Sequence, residues 1–259
     1  MKILFSVQNL GFLRNFQSTV AMLAEHGHTV HIIADRADSV GGTKLVDGIP
    51  NPDGRITYEI VKPPKRGPWI STAMALRLTI DYWRYLEPQF ADAVQLRARA
   101  EDHVPRIVVL LPKIPLLGTS PGRHLLMWLA RTLEAAVPPR ADVEKVLKTH
   151  KPDVLLLTPL LYFGSKQVDY VRAARQLRIP SILGVGSWDH LTTKGLIHEI
   201  PDRIVVWNEM QRTEASALHG VPASQVEVTG AQAYDHWFTQ SPSTTRARSE
   251  EHTSELQSH

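Results

Sequence analysis

One pattern limits what this chain can fold into: short apolar runs bounded by turn residues, with amphipathic stretches between them. Residues 2–7 (KILFSV) form the first run, followed by a loop holding Gln8, Asn9 and Gly11. Phe16, Val20, Leu23 and Ala24 then recur at helical spacing over about 13–26, and Gly27 precedes a second run, 28–34 (HTVHIIA). A glycine there is what a helix C-terminus favours. Strand, helix and strand in that order predict a parallel βαβ unit, since parallel neighbours require a crossover. Further runs stand at 55–61 (RITYEIV), 153–157 (DVLLL), 181–185, 203–207 and 225–228, with helical patterns ending at His150 and covering about 166–177 and 210–218. Runs such as DVLLL are continuously apolar, as strands buried on both faces are. The expected fold is α/β: a parallel sheet of about seven strands with helices on both faces.

Between the third and fourth runs, about 69–136, the pattern is helical. Met74, Leu78, Tyr82 and Tyr85 lie on one stripe, and prolines at 88, 105, 112, 115 and 121 punctuate the segment. We read it as a helical insertion on the α/β core. No internal repeat recurs at a fixed period.

Composition excludes several function classes. The 259 residues are 43% hydrophobic and 21% charged, which fits an ordinary globular chain rather than a disordered or collagen-like one. The absence of cysteine rules out disulfides, thiolate metal sites and a cysteine nucleophile, and is compatible with a reducing cytoplasm. A net charge of +3 without a dense Lys/Arg tract argues against nucleic acid as a partner. The first apolar run is too short for a signal peptide, and 106–118 carries Lys113 and two prolines, short of the ~20 residues that span a bilayer.

The final twelve residues, 248–259 (RSEEHTSELQSH), are polar with only Leu256 to dock them, and are expected to be disordered. The string resembles the conceptual translation of a sequencing-library adapter, which makes it a non-native tail. The genuine sequence is then expected to stop near Ala247, with 239–247 the start of an interdomain hinge. Without Arg248, Glu250, Glu251 and Glu255 the chain holds 28 basic and 23 acidic residues, net +5.

Open α/β sheets bind ligands beyond the carboxyl ends of their strands, which selects the loops at 8–15, 158–165, 184–195, 208–209 and 229–235. In the first, Asn9, Gly11 and Arg14 are candidate ligand contacts at a helix start, where backbone amides favour anions. Neither G-x-G-x-x-G nor a Walker A sequence is present. The loop GVGSWDHLTTKG (184–195) concentrates candidates: Ser187, Trp188, Thr193 and Lys194 for binding, Asp189 and His190 for catalysis. A carboxylate beside an imidazole suits a general base, and a lysine neutralises phosphate. The structural alternative has Asp189 capping a turn and Trp188 filling a seam. Glu209 is a further binding candidate, or simply the acidic first residue of a surface helix. His26, His28 and His31 do not form a metal site on this reading, because His28 and His31 face opposite sides of a strand. No metal or cofactor is expected.

With these loops in view, the chain resembles the N-terminal half of a GT-B glycosyltransferase, an architecture of two Rossmann-like domains shared with UDP-N-acetylglucosamine 2-epimerases. The resemblance covers about 1–238. It rests on KILFSVQNLGFLRNFQSTVAMLAEHGHTVHIIAD, on SWDHLTTKG, which is similar to an SWDN-x-TTKG element of bacterial transferases acting on surface polysaccharides, and on RIVVWNEMQRTEASALHGVPASQVEVTGAQAYDHWF. His190 stands where that element has Asn, and the first loop lacks the Gly-His pair that supplies a base in many inverting relatives. The resemblance implies an acceptor-side domain of an enzyme that moves sugar from a nucleotide-sugar donor, a substrate rather than a cofactor, to a polysaccharide or cell-envelope acceptor. The donor-binding domain would be missing, leaving this chain inactive alone. A UDP-sugar 2-epimerase-like enzyme and a non-catalytic sugar-phosphate or partner-binding module are the alternatives. The apolar and basic mix of 69–99 adds an expectation of weak association with the inner membrane face, although such helices more often just cover a sheet.

Overall fold

Strand propensity and burial meet in a seven-stranded sheet, and every strand pair is parallel. In this computed structural model, residues 1–37, 42–61 and 68–238 are described, with 240–242, 244–246 and 248 beyond them. The expected tail lies outside the described residues except for Arg248, and so does part of the expected hinge. The strands are β1 (Lys2–Asn9), β2 (Thr29–Arg36), β3 (Ile56–Ile60), β4 (Val154–Thr158), β5 (Ser181–Gly184), β6 (Arg203–Val206) and β7 (Val226–Val228). All seven coincide with the apolar runs. Their spatial order is β3-β2-β1-β4-β5-β6-β7, so the chain builds outward from β1 to one side and then returns to build from β4 on the other. The first six follow the Rossmann order, with β7 added.

The helices are α1 (Gln17–Glu25), α2 (Gly42–Asp47), α3 (Pro68–Arg84), α4 (Val94–Glu101), α5 (Arg106–Leu110), α6 (Ser120–Ala135), α7 (Ala141–His150), α8 (Gln167–Gln176), α9 (His190–Thr193) and α10 (Glu209–His219). Three differ from expectation, one of them α9, a short helix inside the stretch 184–195 that is expected as a loop. The first helix begins at Gln17 rather than near Leu13, because Leu10–Asn15 wind into a 3-10 turn. The short α2 falls in a Gly- and Asp-rich stretch whose composition signals a loop.

Alternation along β1 divides the core. Ile3, Phe5 and Val7 join Phe16 and Val20 of the α1 side, whereas Leu4 packs with Leu147 of α7 and Val168 and Val171 of α8 on the opposite face. A third cluster lies within the insertion, where Ile80 and Trp83 of α3 and Tyr85 just beyond it meet Phe90 and Ala130. The stripe at 74, 78, 82 and 85 is half-buried to buried as its spacing implies, but α3 also buries Arg77, Asp81 and Arg84.

Those charges tie the insertion to the sheet layer. Arg77 donates to Glu134 Oε1 at 2.7 Å, to the Ser165 carbonyl at 2.9 Å and to Asp169 Oδ1 at 2.6 Å. Arg172 of α8 donates to the other Glu134 oxygen and, at 3.0 Å, to Glu199. Burial alone would raise the Glu134 carboxyl, but the two guanidiniums hold it below its ordinary value. Breaking one partner of such a buried set costs about 3–5 kcal/mol, since it strands the other charge. Among the described residues, no helix is long and apolar enough to cross a membrane.

Candidate functional site

Because β1 and β4 are neighbours whose chains leave in opposite directions across the sheet, their carboxyl ends border a crevice, the place where such sheets hold ligands. Its floor is Gln167 at the start of α8. The Gln167 side-chain amide donates to the Ser6 carbonyl at 2.9 Å and the Thr158 carbonyl at 3.0 Å, and its oxygen accepts from Leu160 N–H at 2.8 Å. Leu160 has a left-handed φ of 56°. A branched residue holds that conformation only where its surroundings over-determine it.

Two clefts meet in this crevice at Tyr162. One, about 410 Å³, is lined by Gln8, Asp35, Arg36, Met74 and the segment from Tyr162 to Gln167. The other, about 400 Å³, is lined by Asn9, Gly11, Phe12, Arg14, Asn15 and Tyr162. The Tyr162 ring lies edge-on to Phe12, with centroids 5.8 Å apart, and Lys194 Nζ sits 6.0 Å from its centroid. Burial, and then the Asp189 carboxylate, push the Tyr162 hydroxyl above its ordinary pKa, so it remains a proton-bearing donor at neutral pH. Sequence reading selected its loop but not Tyr162 itself, for which only position just past an apolar strand was a signal.

Asn9, Gly11 and Arg14 therefore stand together in the second cleft. Asn9 ends β1 with an extended backbone, and Arg14 Nε donates to the Gly11 carbonyl at 3.3 Å. Asn15 reaches across to the Gly186 carbonyl at 2.7 Å and joins the first loop to the one after β5. Close packing demands the glycine at 184, where an added Cβ would lie 2.8 Å from Phe16 Cε1.

The loop after β5 is held from all sides. Gln211 of α10 donates to the Ser187 carbonyl at 3.1 Å, Tyr85 OH to the Lys194 carbonyl at 2.7 Å, and Leu196 N–H to Asp81 Oδ1 at 2.7 Å. Within it, Asp189 accepts from Ser187 Oγ at 2.5 Å and from Thr193 Oγ1 at 2.9 Å, and pairs with Lys194 Nζ at 3.4 Å. Partial burial works against its ionisation, but these donors hold the Asp189 carboxyl down at about 2. A carboxylate held this acidic, with both oxygens engaged, has little affinity for a substrate proton, which weighs against the expected role as general base. Its carboxylate ties Ser187, Thr193 and Lys194 together within the loop, while Asp189 makes no side-chain cap on α9.

His190 is only 4% exposed, and burial lowers its pKa to about 4. Its Nδ1 has no hydrogen-bond partner among the described residues, and its ring centroid lies 6.3 Å from that of Phe12, so it backs the crevice wall rather than opening into it. Trp188 is 72% exposed and fills no seam. Glu209 pairs with Arg212 at 2.9 Å in the first turn of α10, on the surface.

Asp35, at the end of β2, is the carboxyl that the sequence reading missed. Burial raises its pKa despite the opposing charges of Lys166, Arg140 and Arg36, and it lines the larger cleft. A proton acceptor is more effective as its pKa approaches the working pH.

The histidine cluster also differs from the sequence view. His31 stacks on His150 at 4.3 Å, and both face Glu59, at 3.6 and 3.1 Å. These three offer donor atoms within 4.8 Å of one another. The ring planes are only 20° apart, so the in-plane lone pairs run nearly parallel and suit a shared carboxylate better than one ion. His28 and His26 take no part.

Fold and crevice together define a Rossmann-like α/β fold with an open crevice at its switch point. No protein-family model matches the chain, and no curated protein matches it. Among solved structures, it is similar to a UDP-N-acetylglucosamine 2-epimerase from Rickettsia bellii, at 14% identity and a TM-score of 0.44, covering 92% of this chain and 48% of that one. It is also similar to the glycosyltransferase VinC in complex with dTDP, at 17% identity and a TM-score of 0.32, covering 73% and 36%. The chain thus spans about half the length of the first and about a third of the second.

Proposed function

We propose that this chain is the acceptor-side half of a GT-B glycosyltransferase that moves a sugar from a nucleotide-sugar donor to a polysaccharide or cell-envelope glycan, with the donor-binding half outside it. The observation that carries this reading is the pair of clefts meeting at Tyr162, with the raised carboxyl of Asp35 in one and the polar set Asn9, Arg14 and Asn15 in the other. The resemblance of SWDHLTTKG to transferases of surface polysaccharides points the same way.

The chemistry assigns the roles. In glycosyl transfer an acceptor hydroxyl oxygen bonds to the anomeric carbon, the bond from that carbon to the diphosphate oxygen breaks, and the diphosphate leaves with the electron pair. The hydroxyl proton passes to a base. Asp35 is that base in our reading. Tyr162 presents a flat ring for the sugar face and a hydroxyl donor, and Lys194 and Arg14 supply positive charge beside the developing leaving group. Asp189 and His190 position the loop that carries Lys194.

The test is a titration of isotope-labelled protein with candidate acceptor glycans and, separately, with nucleotide-sugars. Glycans shifting the amides of 9–15, 160–166 and 187–194 support the reading. Loops unmoved by every glycan but shifted by a UDP-sugar alone would overturn it in favour of a 2-epimerase-like enzyme.

A further inference from the structure

The insertion helix α6 is apolar on two sides. Leu126, Met127 and Ala130 face the insertion core, yet Leu125, Trp128, Leu129 and Leu133 stay exposed, Trp128 by 60%. The preceding α5 and the segment after it add Ile107, Leu110, Ile114 and Leu116, the last 82% exposed. A helix apolar all round is normally covered all round, and an exposed apolar face of this kind marks an interaction site. The charge around it is one-sided: between Asp102 and Glu134 there is no acidic residue, while Arg106, Lys113, Arg123 and Arg131 are all present.

The same segment borders a cleft of about 390 Å³ lined by Tyr82, Glu87, Arg97, Lys113 and Arg123 among others. Two of its guanidiniums keep spare capacity. Arg97 donates through Nη2 to the Ala91 carbonyl at 2.8 Å, and Arg123 through Nη1 to the Gly118 carbonyl at 2.8 Å, but the buried Nε of each has no partner among the described residues. Three cations against Glu87 make a cleft that suits an anionic phosphate.

We propose that this face docks on an anionic lipid bilayer, with the leucines, isoleucines and Trp128 entering the headgroup–acyl boundary and the Arg97–Lys113–Arg123 cleft taking a lipid phosphate. Apolar burial and attraction to anionic headgroups act together in such interfacial binding. A second protein chain would need acidic groups to match this rim, whereas an anionic leaflet supplies them continuously. The inference stands on the insertion alone and does not depend on the glycosyltransferase reading.

The experiment is co-sedimentation of the protein with phosphatidylcholine vesicles and with vesicles containing equal parts phosphatidylcholine and phosphatidylglycerol, at low and high salt. Binding to the mixed vesicles at low salt, weaker at high salt and with a blue shift of tryptophan emission, is expected. Lys113→Gln and Arg123→Gln each lower the affinity about fivefold, the worth of one cation near an anionic surface. Leu116→Ser with Trp128→Ser lowers it at least tenfold, while Met210→Ser, on an exposed face elsewhere, leaves it unchanged. Near-UV circular dichroism checks that each variant stays folded. No binding of the wild-type chain at low salt overturns the proposal. So does a dimer in light scattering that the Leu116/Trp128 variant converts to monomer, since a second copy then covers the face. Saturation of the cleft by free glycerol phosphate without vesicle binding also overturns it.

Discussion

Asp81, on the insertion helix α3, accepts a hydrogen bond from the backbone N–H of Gly164 at 3.1 Å through one carboxylate oxygen, and its other oxygen accepts from Leu196 N–H at 2.7 Å and from His198 Nε2 at 3.0 Å. One fully buried carboxylate therefore fastens together the loops after β4 and β5 that form the crevice. The insertion is a brace for the candidate site. Gly195 is part of the same arrangement, since a Cβ there would lie 2.9 Å from Asp81 Oδ2.

Replacing Asp81 with Ala leaves the Gly164 and Leu196 N–H groups and the buried His198 Nε2 without their acceptor, each costing about 1–3 kcal/mol. We expect Asp81→Ala to lower the urea midpoint strongly, and Asp81→Asn, which keeps one acceptor oxygen, to lower it less. Equal loss in both variants would mean that the negative charge, not the hydrogen bonds to Gly164, Leu196 and His198, carries the effect.

Gly184→Ala drives a methyl into the Phe16 ring, and overpacking of this kind costs about 1–3 kcal/mol. Adding Phe16→Leu should return part of that loss. A double-mutant cycle with no coupling between 184 and 16 would contradict the packing described.

Acid should destabilise the chain well above the carboxylate range. His219 donates through Nε2 to the Leu191 carbonyl and accepts through Nδ1 from Ile197 N–H, so it is held neutral, and burial puts its pKa at about 3, with His190 at about 4. Unfolded, both return to near 6.5. As pH falls below about 6.5 the unfolded chain takes up protons that the folded chain refuses, so stability declines by up to about 1.4 kcal/mol per pH unit for each histidine. The decline ends as each folded pKa is passed. Asp189, with a folded pKa of about 2, adds its loss only below about 3.8. Urea unfolding from pH 7.5 to 4.5 should show this slope, reduced in His219→Asn.

In an enzyme that joins this domain to a donor-binding half, Asp35→Asn should lower kcat about a hundredfold or more with little change in KM, as loss of a general base does. Asp189→Asn should instead reduce stability through the loop, with kcat recovering at lower temperature. The reverse pattern would return the base to Asp189.

The seven strands, their parallel pairing and the helices between them were legible in the sequence because burial on both sheet faces writes itself into local apolar runs, and because parallel neighbours require crossovers. The loops at the carboxyl ends were legible for the same reason. Which of their residues share a cleft was not. Asp35 and Tyr162 stand 127 positions apart in sequence, and only the β2-β1-β4 order and the chain's return across β1 bring them to one cleft. Asp189 and His190, adjacent and chemically suggestive, were assigned to acid–base work by residue type. Ser187, Thr193 and Lys194 acidify the first, and burial lowers the pKa of the second to about 4. The charged stripe of α3 escaped detection because apolar periodicity cannot report buried Arg77, Asp81 and Arg84, whose partners lie far along the chain. Local pattern determined the elements, since each is stabilised by its own periodic face. Tertiary structure alone decided the electrostatics, because a pKa and a hydrogen-bond partner depend on burial and on groups that only folding brings together.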